Sequence, residues 1–350
     1  MTYQEFLKNK KAVSIYTANK NPLQICPAEL SADFDSILKK VSSFERSLKV
    51  LNMGSFDALD GFVPGNFLDQ YYSMYDTLYN HVIKTYEKPE NHQYLSKIYD
   101  FNQGVETREL NIDKVYYKTR RKFRSIKYDM FRTKTGRLAT TAVSFPILNL
   151  KKDARKYVKP QNDCFVEFDY NAADIRVFLG LSGQTQPEED IHEWNAKNIF
   201  NCEREDAKKY FFAWLYNGHA ETRRGPQSDV SNIYEKDKVR DKYWDGQIVT
   251  NIFQRKIPSD FHHSLSYIIQ STASDLFFVQ LNKVQNLLKG HKSHIAFSIH
   301  DCFVLDLAKE ERNIIYEIKD IFSDTCLGKF KISIKIGKSF GNMEPLWIAS

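Results

Sequence analysis

The apolar positions of this chain change period several times, and each change marks an element. Residues 66–86, from Asn66-Phe-Leu-Asp-Gln-Tyr-Tyr onward, keep a helical spacing. Residues 164–170, Cys-Phe-Val-Glu-Phe-Asp-Tyr, read as a strand that delivers Asp169 at its end, and Ile175, Phe178 and Leu179 behind it predict a helix. Residues 204–216 predict a second helix. In residues 271–289, Ala273, Phe277, Leu281, Val284 and Leu288 recur at spacings of four and three and mark one buried stripe of a third. Residues 293–306 read as two apolar strands meeting at His300-Asp301, which places a second carboxylate at a tight hairpin. Residues 1 to about 110 carry the weakest pattern, and no repeat or low-complexity tract breaks the order.

Composition adds a compartment and a class of partner. A chain of 350 residues can hold two or three subdomains around a full core. Its net charge of +6 is compatible with a polyanionic partner without requiring one. The basic residues concentrate between Lys114 and Arg137, where Lys118, Arg120, Arg121, Lys122, Arg124, Lys127, Arg132 and Lys134 face only Asp129. Tyr116, Tyr117, Phe123, Tyr128 and Phe131 are interleaved with them. Such a stretch suits phosphate tracking and base stacking, and it suits a solvated face equally well. The five cysteines lie far apart with no C-x-x-C spacing, as expected of a reducing compartment. The N-terminus lacks the pattern of a signal peptide, and no run approaches the roughly 18 apolar residues that span a bilayer. A soluble, cytoplasmic protein is expected.

Two aspartates on adjacent strand ends, Asp169 and Asp301, can hold a pair of Mg²⁺ ions, with Mn²⁺ as an alternative. Phosphoryl transfer needs little beyond such positioning and charge neutralisation. A single aspartate at a strand end is more often a cap or turn residue, so the pair takes its meaning from its neighbours. On the 204–216 helix, Arg204, Lys208, Phe212 and Tyr216 recur every four residues and follow one face. Cations at one end could hold triphosphate oxygens while aromatics at the other stack a base and sugar. The spacing by itself also fits an amphipathic helix with Phe212 and Tyr216 in the core.

The segment Asp169-Tyr-Asn-Ala-Ala-Asp-Ile-Arg176, followed by Asp190-Ile-His192, resembles the first palm motif of family A DNA polymerases, the bacterial DNA polymerase I type. Arg204-x3-Lys208-x3-Phe212-x3-Tyr216 resembles the fingers helix of that family. Thr135-Gly-Arg-Leu138 resembles its T-G-R-L signature, Gln270-Ser-Thr-Ala-Ser-Asp-Leu276 its Q-G-T-A-A-D-L helix, and His300-Asp301 its final palm motif. The five motifs keep the family's order over residues 131–306, and Ile332 to Met343 resembles its closing strand.

The resemblance implies an α+β right-hand fold: an antiparallel palm sheet, helical fingers and a reduced helical thumb. Residues 1–130 would supply an N-terminal palm segment and the thumb, 131–183 and 259–350 the palm, and 184–258 the fingers. It implies a DNA-templated DNA polymerase that adds dNTPs to a primer 3′-OH. Asp169 and Asp301 would carry the metal ions, with the backbone carbonyl of Tyr170 as a further ligand. Arg204, Lys208 and His192 would contact the triphosphate, with Lys208 the proton donor to departing pyrophosphate. Phe212 and Tyr216 would bound the base-pair pocket, and Asp174 would replace the usual Glu that excludes ribonucleotides. Arg137, Gln270, His300, Arg255 and Lys134 would hold primer-template DNA.

Some positions depart from the family pattern. Cys302 stands where Glu usually follows the His-Asp pair, Ser266 and His262 replace an Asn and an Arg, and Asn217 replaces a Gly. The length ahead of Thr135 is too short for a proofreading nuclease domain, so a compact, phage-like monomer without an exonuclease is expected, working in the host cytoplasm if viral. A separate exonuclease, helicase–primase or processivity factor would be its protein partners. A single-subunit RNA polymerase, a non-catalytic DNA-binding subunit, and a gap-filling or bypass enzyme rather than a replicative one remain alternatives on sequence alone.

Overall fold

The computed structural model describes residues 3–50, 63–113, 124–215, 230 and 233–347. The chain divides into two units, Met1–Ser96 and Lys97–Ser350. The first unit is helical, with α1 (Tyr3–Tyr16), α2 (Ser31–Val50) and α3 (Gly65–Thr85). The helical spacing of residues 66–86 is thus realised within one residue at each end. Phe67, Tyr71, Leu78, Tyr79 and Val82 of α3 are buried, and Phe6 of α1 packs among Tyr71, Tyr72, Tyr75 and Tyr79. Phe34 of α2 meets Tyr75 edge-on at 5.0 Å between centroids. Tyrosines of α3 thus pack into a core shared with Val13, Phe34, Phe67, Leu78 and Val82.

The second unit is built on a five-stranded antiparallel sheet. Its strands are β1 (Cys164–Tyr170), β2 (His294–Ile299), β3 (Cys302–Leu307), β4 (Ile332–Ser339) and β5 (Asn342–Pro345), in the order β5-β4-β1-β3-β2. The strand and hairpin expected at 164–170 and 293–306 are both present. β1 is the central strand, paired with β4 on one edge and β3 on the other, and its residues Phe165 to Phe168 are all buried. Strand alternation divides the chemistry of the sheet. Phe168 stacks on its cross-strand partner Phe303, with centroids 5.0 Å apart and planes 9° apart. Phe303 in turn packs edge-on against Phe322. The opposite face carries Phe165, Glu167 and Asp169, so it is apolar where β1 starts and acidic where it ends.

The division between the units falls within α4 (His92–Glu106); the second unit then carries α5 (Ala173–Leu181), α6 (Ile191–Asn195), α7 (Arg204–Leu215), α8 (Lys236–Tyr243), α9 (Phe261–Leu287) and α10 (Ile314–Ser323). α9 begins ten residues before the stripe that predicts it. Asp260 starts it by accepting the His263 backbone N–H at 2.9 Å. Phe277 of α9 packs edge-on against Phe322 of α10, which joins both helices to the phenylalanine face of the sheet. Of the basic, aromatic stretch, 114–123 lies outside the described residues. Tyr128 is buried, with its hydroxyl donating to the Ser298 carbonyl at 2.7 Å and its ring stacked on Phe101, so it braces β2 from within the core. No described helix is long and apolar enough to cross a membrane.

Phe303→Ala should lower stability by about 3–5 kcal/mol, because it opens a cavity among rings that cannot close around it. Tyr316→Ala, at a side chain 54% exposed, should stay within about 0.5 kcal/mol. Urea midpoints of the two variants check the contrast.

Candidate active site

The end of β1 and the β2–β3 hairpin bring the two aspartates together. Asp169 pairs across the ladder with Cys302, so Asp301 precedes the residue opposite it. His300, at φ +52°, turns the chain tightly enough for Asp301 to sit at the sheet end. Tyr170 sends its ring to the other face, where it stacks on Phe322 at 4.1 Å and donates its hydroxyl to the Phe322 carbonyl.

Neither Asp169 nor Asp301 receives a hydrogen bond from the described residues. A third strand carboxylate, Asp306, is different: it accepts the backbone N–H groups of Gln161 and Asn162 at 2.6 and 2.9 Å. Burial pushes the Asp169 carboxyl up to about 7, with Glu167 and Asp301 adding repulsion and Lys335 opposing it. Burial likewise raises Asp301, with Asp174 adding to it while Arg137 and His300 oppose. The Cys302 thiol is driven well above its usual value by burial and by Asp169, Glu167 and Asp301. Negative charge is therefore crowded here without enough cations to balance it. Among the described residues no group of three or more His, Cys, Asp or Glu converges as a metal cluster. A hard divalent ion that takes one or two carboxylates and completes its shell with water and phosphate fits this donor set.

Residues Asn171 to Arg204 form the second half of the site. Ala172, at φ +53°, turns the strand end directly into α5. Arg176 of α5 is fully buried and donates to the carbonyls of Asn171, Pro187 and Glu189 at 2.9, 2.9 and 2.8 Å. Asp190 follows that loop and caps α6 by accepting the N–H groups of His192 and Glu193. Its carboxylate also takes Arg204 Nη2 at 2.9 Å and Nε at 3.2 Å, and Asn171 Nδ2 at 2.8 Å. Burial opposes ionisation of Asp190, but these bonds outweigh it and hold the carboxyl below its usual range.

On α7, Arg204, Lys208 and Phe212 recur every four residues and so follow one another along the helix, while Ala207, Phe211, Ala213, Trp214 and Leu215 are buried. Lys208 is exposed and Phe212 half-buried. Phe212 lies 6.0 Å from the His192 ring. His192 is lowered to about 4 by burial, which Asp190 opposes and Arg204 and Lys208 reinforce, so its imidazole is neutral near pH 7. Tyr216 and Asn217 lie outside the described residues.

The residues expected to hold DNA divide. Arg137 Nη2 reaches both oxygens of Asp174, at 3.0 and 3.2 Å, which ties the T-G-R-L turn to α5 beside Asp301. Gln270 is half-buried on α9, and His300 and Lys134 are exposed, Lys134 over the ring of Tyr267. His262 and Ser266 lie in the first turns of α9, Ser266 bonded to the His263 carbonyl. Arg255, also expected to hold DNA, has its guanidinium buried in an ion pair with Asp275. Glu167 and Lys335, joined at 2.6 Å on the acidic face, were not singled out by sequence reasoning. The signal was there in β1, where Glu167 shares the parity of Asp169. Arg176 had no such signal.

No protein-family model and no curated protein matches the chain in sequence. Among solved structures it is similar to the POL domain of Pol1 from M. smegmatis in complex with DNA primer-template and dNTP, with a TM-score of 0.53 and 14% identity. The likeness covers 91% of this chain and 66% of that one, so this chain spans just under two thirds of its neighbour's length. It is a likeness of fold.

The fold favours a neutral Asp169, so stability is greatest below the unfolded carboxyl value near 4 and is lost as pH rises through about 7. In metal-free protein at pH 8, Asp169→Asn should therefore be more stable than the parent chain by roughly 2–4 kcal/mol, and the gain should vanish near pH 4. Thermal or urea melts at the two pH values check it.

Proposed function

We propose that this chain is a DNA-templated DNA polymerase of the bacterial polymerase I type, a nucleotidyltransferase. The observation that carries the reading is the pair Asp169 and Asp301 at the end of an antiparallel sheet, with Asp190 linking Asn171, just past β1, to Arg204 at the head of the helix that also carries Lys208 and Phe212. The fold likeness to a polymerase domain supports it. In this reading the sheet with residues 131–183 and 259–350 is the palm, 184–258 are the fingers, and 1–130 supply the first palm segment and a small thumb. Primer-template DNA and dNTPs are the substrates.

Asp169, Asp301 and the Tyr170 carbonyl would hold two Mg²⁺ ions. When bound, the ions supply charge neutralisation and a more acidic primer 3′-hydroxyl. The chain's own residues orient the nucleotide. Arg204, once released from Asp190, clamps phosphate oxygens with its planar fork. Lys208, one turn along the same face, lies exposed where it can donate a proton to the leaving pyrophosphate. His192, neutral and buried beside Arg204, offers a ring N–H to the same phosphates without adding charge. Phe212 and Tyr216 bound the base, while Asp174, held by Arg137, limits space at the sugar 2′ position. Arg137, Gln270, His300 and Lys134 contact the primer-template. Glu167 sits two residues before Asp169 and returns acidic character to a site where Cys302 has removed it.

Extension of a labelled primer on a DNA template with Mg²⁺ and dNTPs tests the reading. The parent chain should extend, while Asp169→Ala and Asp301→Ala should lose about a thousandfold or more with duplex binding retained. Lys208→Ala should lose about 10²- to 10⁴-fold in rate. A parent chain that binds primer-template without extending it would sink the proposal.

Phe212 lacks the hydroxyl that would help accommodate a sugar without its 3′-OH. The parent chain should therefore resist dideoxynucleotide termination and Phe212→Tyr should become sensitive to it. Termination ladders of the two proteins run side by side decide this.

A further inference from the structure

Below the candidate site lies a buried ion pair with no part in the chemistry just described. Arg255 donates from Nε to Asp275 Oδ2 at 2.9 Å and from Nη2 to Oδ1 at 2.6 Å, with side chains 10% and 1% exposed. Asn251 completes the network. Its Nδ2 donates to Asp275 Oδ2 at 2.8 Å and to Ser271 Oγ at 3.1 Å, and its Oδ1 accepts the N–H groups of Phe253 and Arg255. Gln254, at φ +63°, lets the chain turn back within this short span. The pair is thus fixed from both sides, by the 251–255 turn and by α9.

A buried ion pair that served stability alone could often be replaced by apolar side chains at no loss. This pair also supports a backbone. A Cβ placed on Gly136 would lie 2.5 Å from Arg255 Nη2 and 2.6 Å from Cζ, closer than real atoms approach, so the peptide of Gly136 rests directly on the guanidinium. Glycine meets both demands there, since Gly136 also stands at φ +79°. The turn above is closed by the Gly136 N–H on the Thr133 carbonyl and by the Thr133 hydroxyl, which donates to the Arg137 carbonyl at 2.7 Å. Its next residue is Arg137, whose guanidinium holds Asp174 beside Asp301.

We propose that Arg255 and Asp275 are positioning residues: their buried pair is the floor that sets the height of the Thr133–Arg137 turn and so aims Arg137 at Asp174. The catalytic consequence rests on the polymerase reading, whereas the positioning itself does not. Arg255 acts through Gly136 and touches no substrate.

Asp275→Asn keeps the shape of the acid and removes its charge. Arg255→Lys keeps the charge and removes the planar fork on which Gly136 lies. Circular dichroism and melting first establish that each variant folds; if Asp275→Asn does not, Arg255→Lys carries the same measurements. Hydrogen exchange followed by mass spectrometry should show peptides containing residues 133–138 exchanging about tenfold faster or more, while the β2–β3 hairpin keeps its protection. Primer extension should lose about tenfold in kcat/KM, but less than about threefold when the same change is made on an Arg137→Ala background. Folded variants with unchanged exchange at 133–138, or losses that multiply with that of Arg137→Ala, would overturn the proposal. If the parent chain extends no primer, the polymerase reading fails by itself and the exchange result alone decides the positioning.

Discussion

A guanidinium without water must have its donors answered by the protein, and at Arg176 this requirement organises half of the site. Burial lowers its pKa to about 10, which still leaves it charged at neutral pH. Removing that charge from water costs several kcal/mol unless fixed acceptors replace the solvent. The acceptors are the carbonyls of Asn171, Pro187 and Glu189, so the end of β1 and the loop before α6 can take only the arrangement that presents all three. Asp190 inherits its place from that arrangement, and through it so do α6, His192 and the first residue of α7.

The sheet solves a second problem by alternation. A pair of partly buried carboxylates needs rigid support, and apolar side chains all round it on the same face would favour its neutral form. β1 places Val166, Phe168 and Tyr170 on one face and Glu167 and Asp169 on the other within seven residues, so packing and electrostatics are separated by a single peptide rather than by a domain. Cross-strand registry then does the rest, since pairing Asp169 with Cys302 fixes where Asp301 must lie.

Much of this skeleton was legible in the sequence because it obeys local periods. The 164–170 strand, the hairpin at His300-Asp301 and the helix beginning at Arg204 announce themselves by alternation or by spacing of four. The start of α9 did not, because Phe261 to Gln270 mixes histidines and serines with apolar residues and its first turn is set by the Asp260 cap. The ion pairs were the least visible. Arg137 with Asp174, Arg204 with Asp190 and Arg255 with Asp275 are separated by 37, 14 and 20 positions. A basic residue in sequence carries no mark of whether it faces solvent, a phosphate or a distant carboxylate. Arg255, expected among the DNA contacts, has its charge committed to Asp275 in the interior, which nothing in its sequence neighbourhood announces.

The bond between Arg204 and Asp190 has one more implication. The cation at the head of α7 is already satisfied, by a carboxylate that the α6 cap holds in place. A visiting anion gains this arginine only by displacing a partner that cannot diffuse away and is itself stabilised by two amides. Whatever engages Arg204 must therefore exchange with a tethered carboxylate as well as with water, so the resting ion pair sets the strength of anion that this end of α7 can recruit.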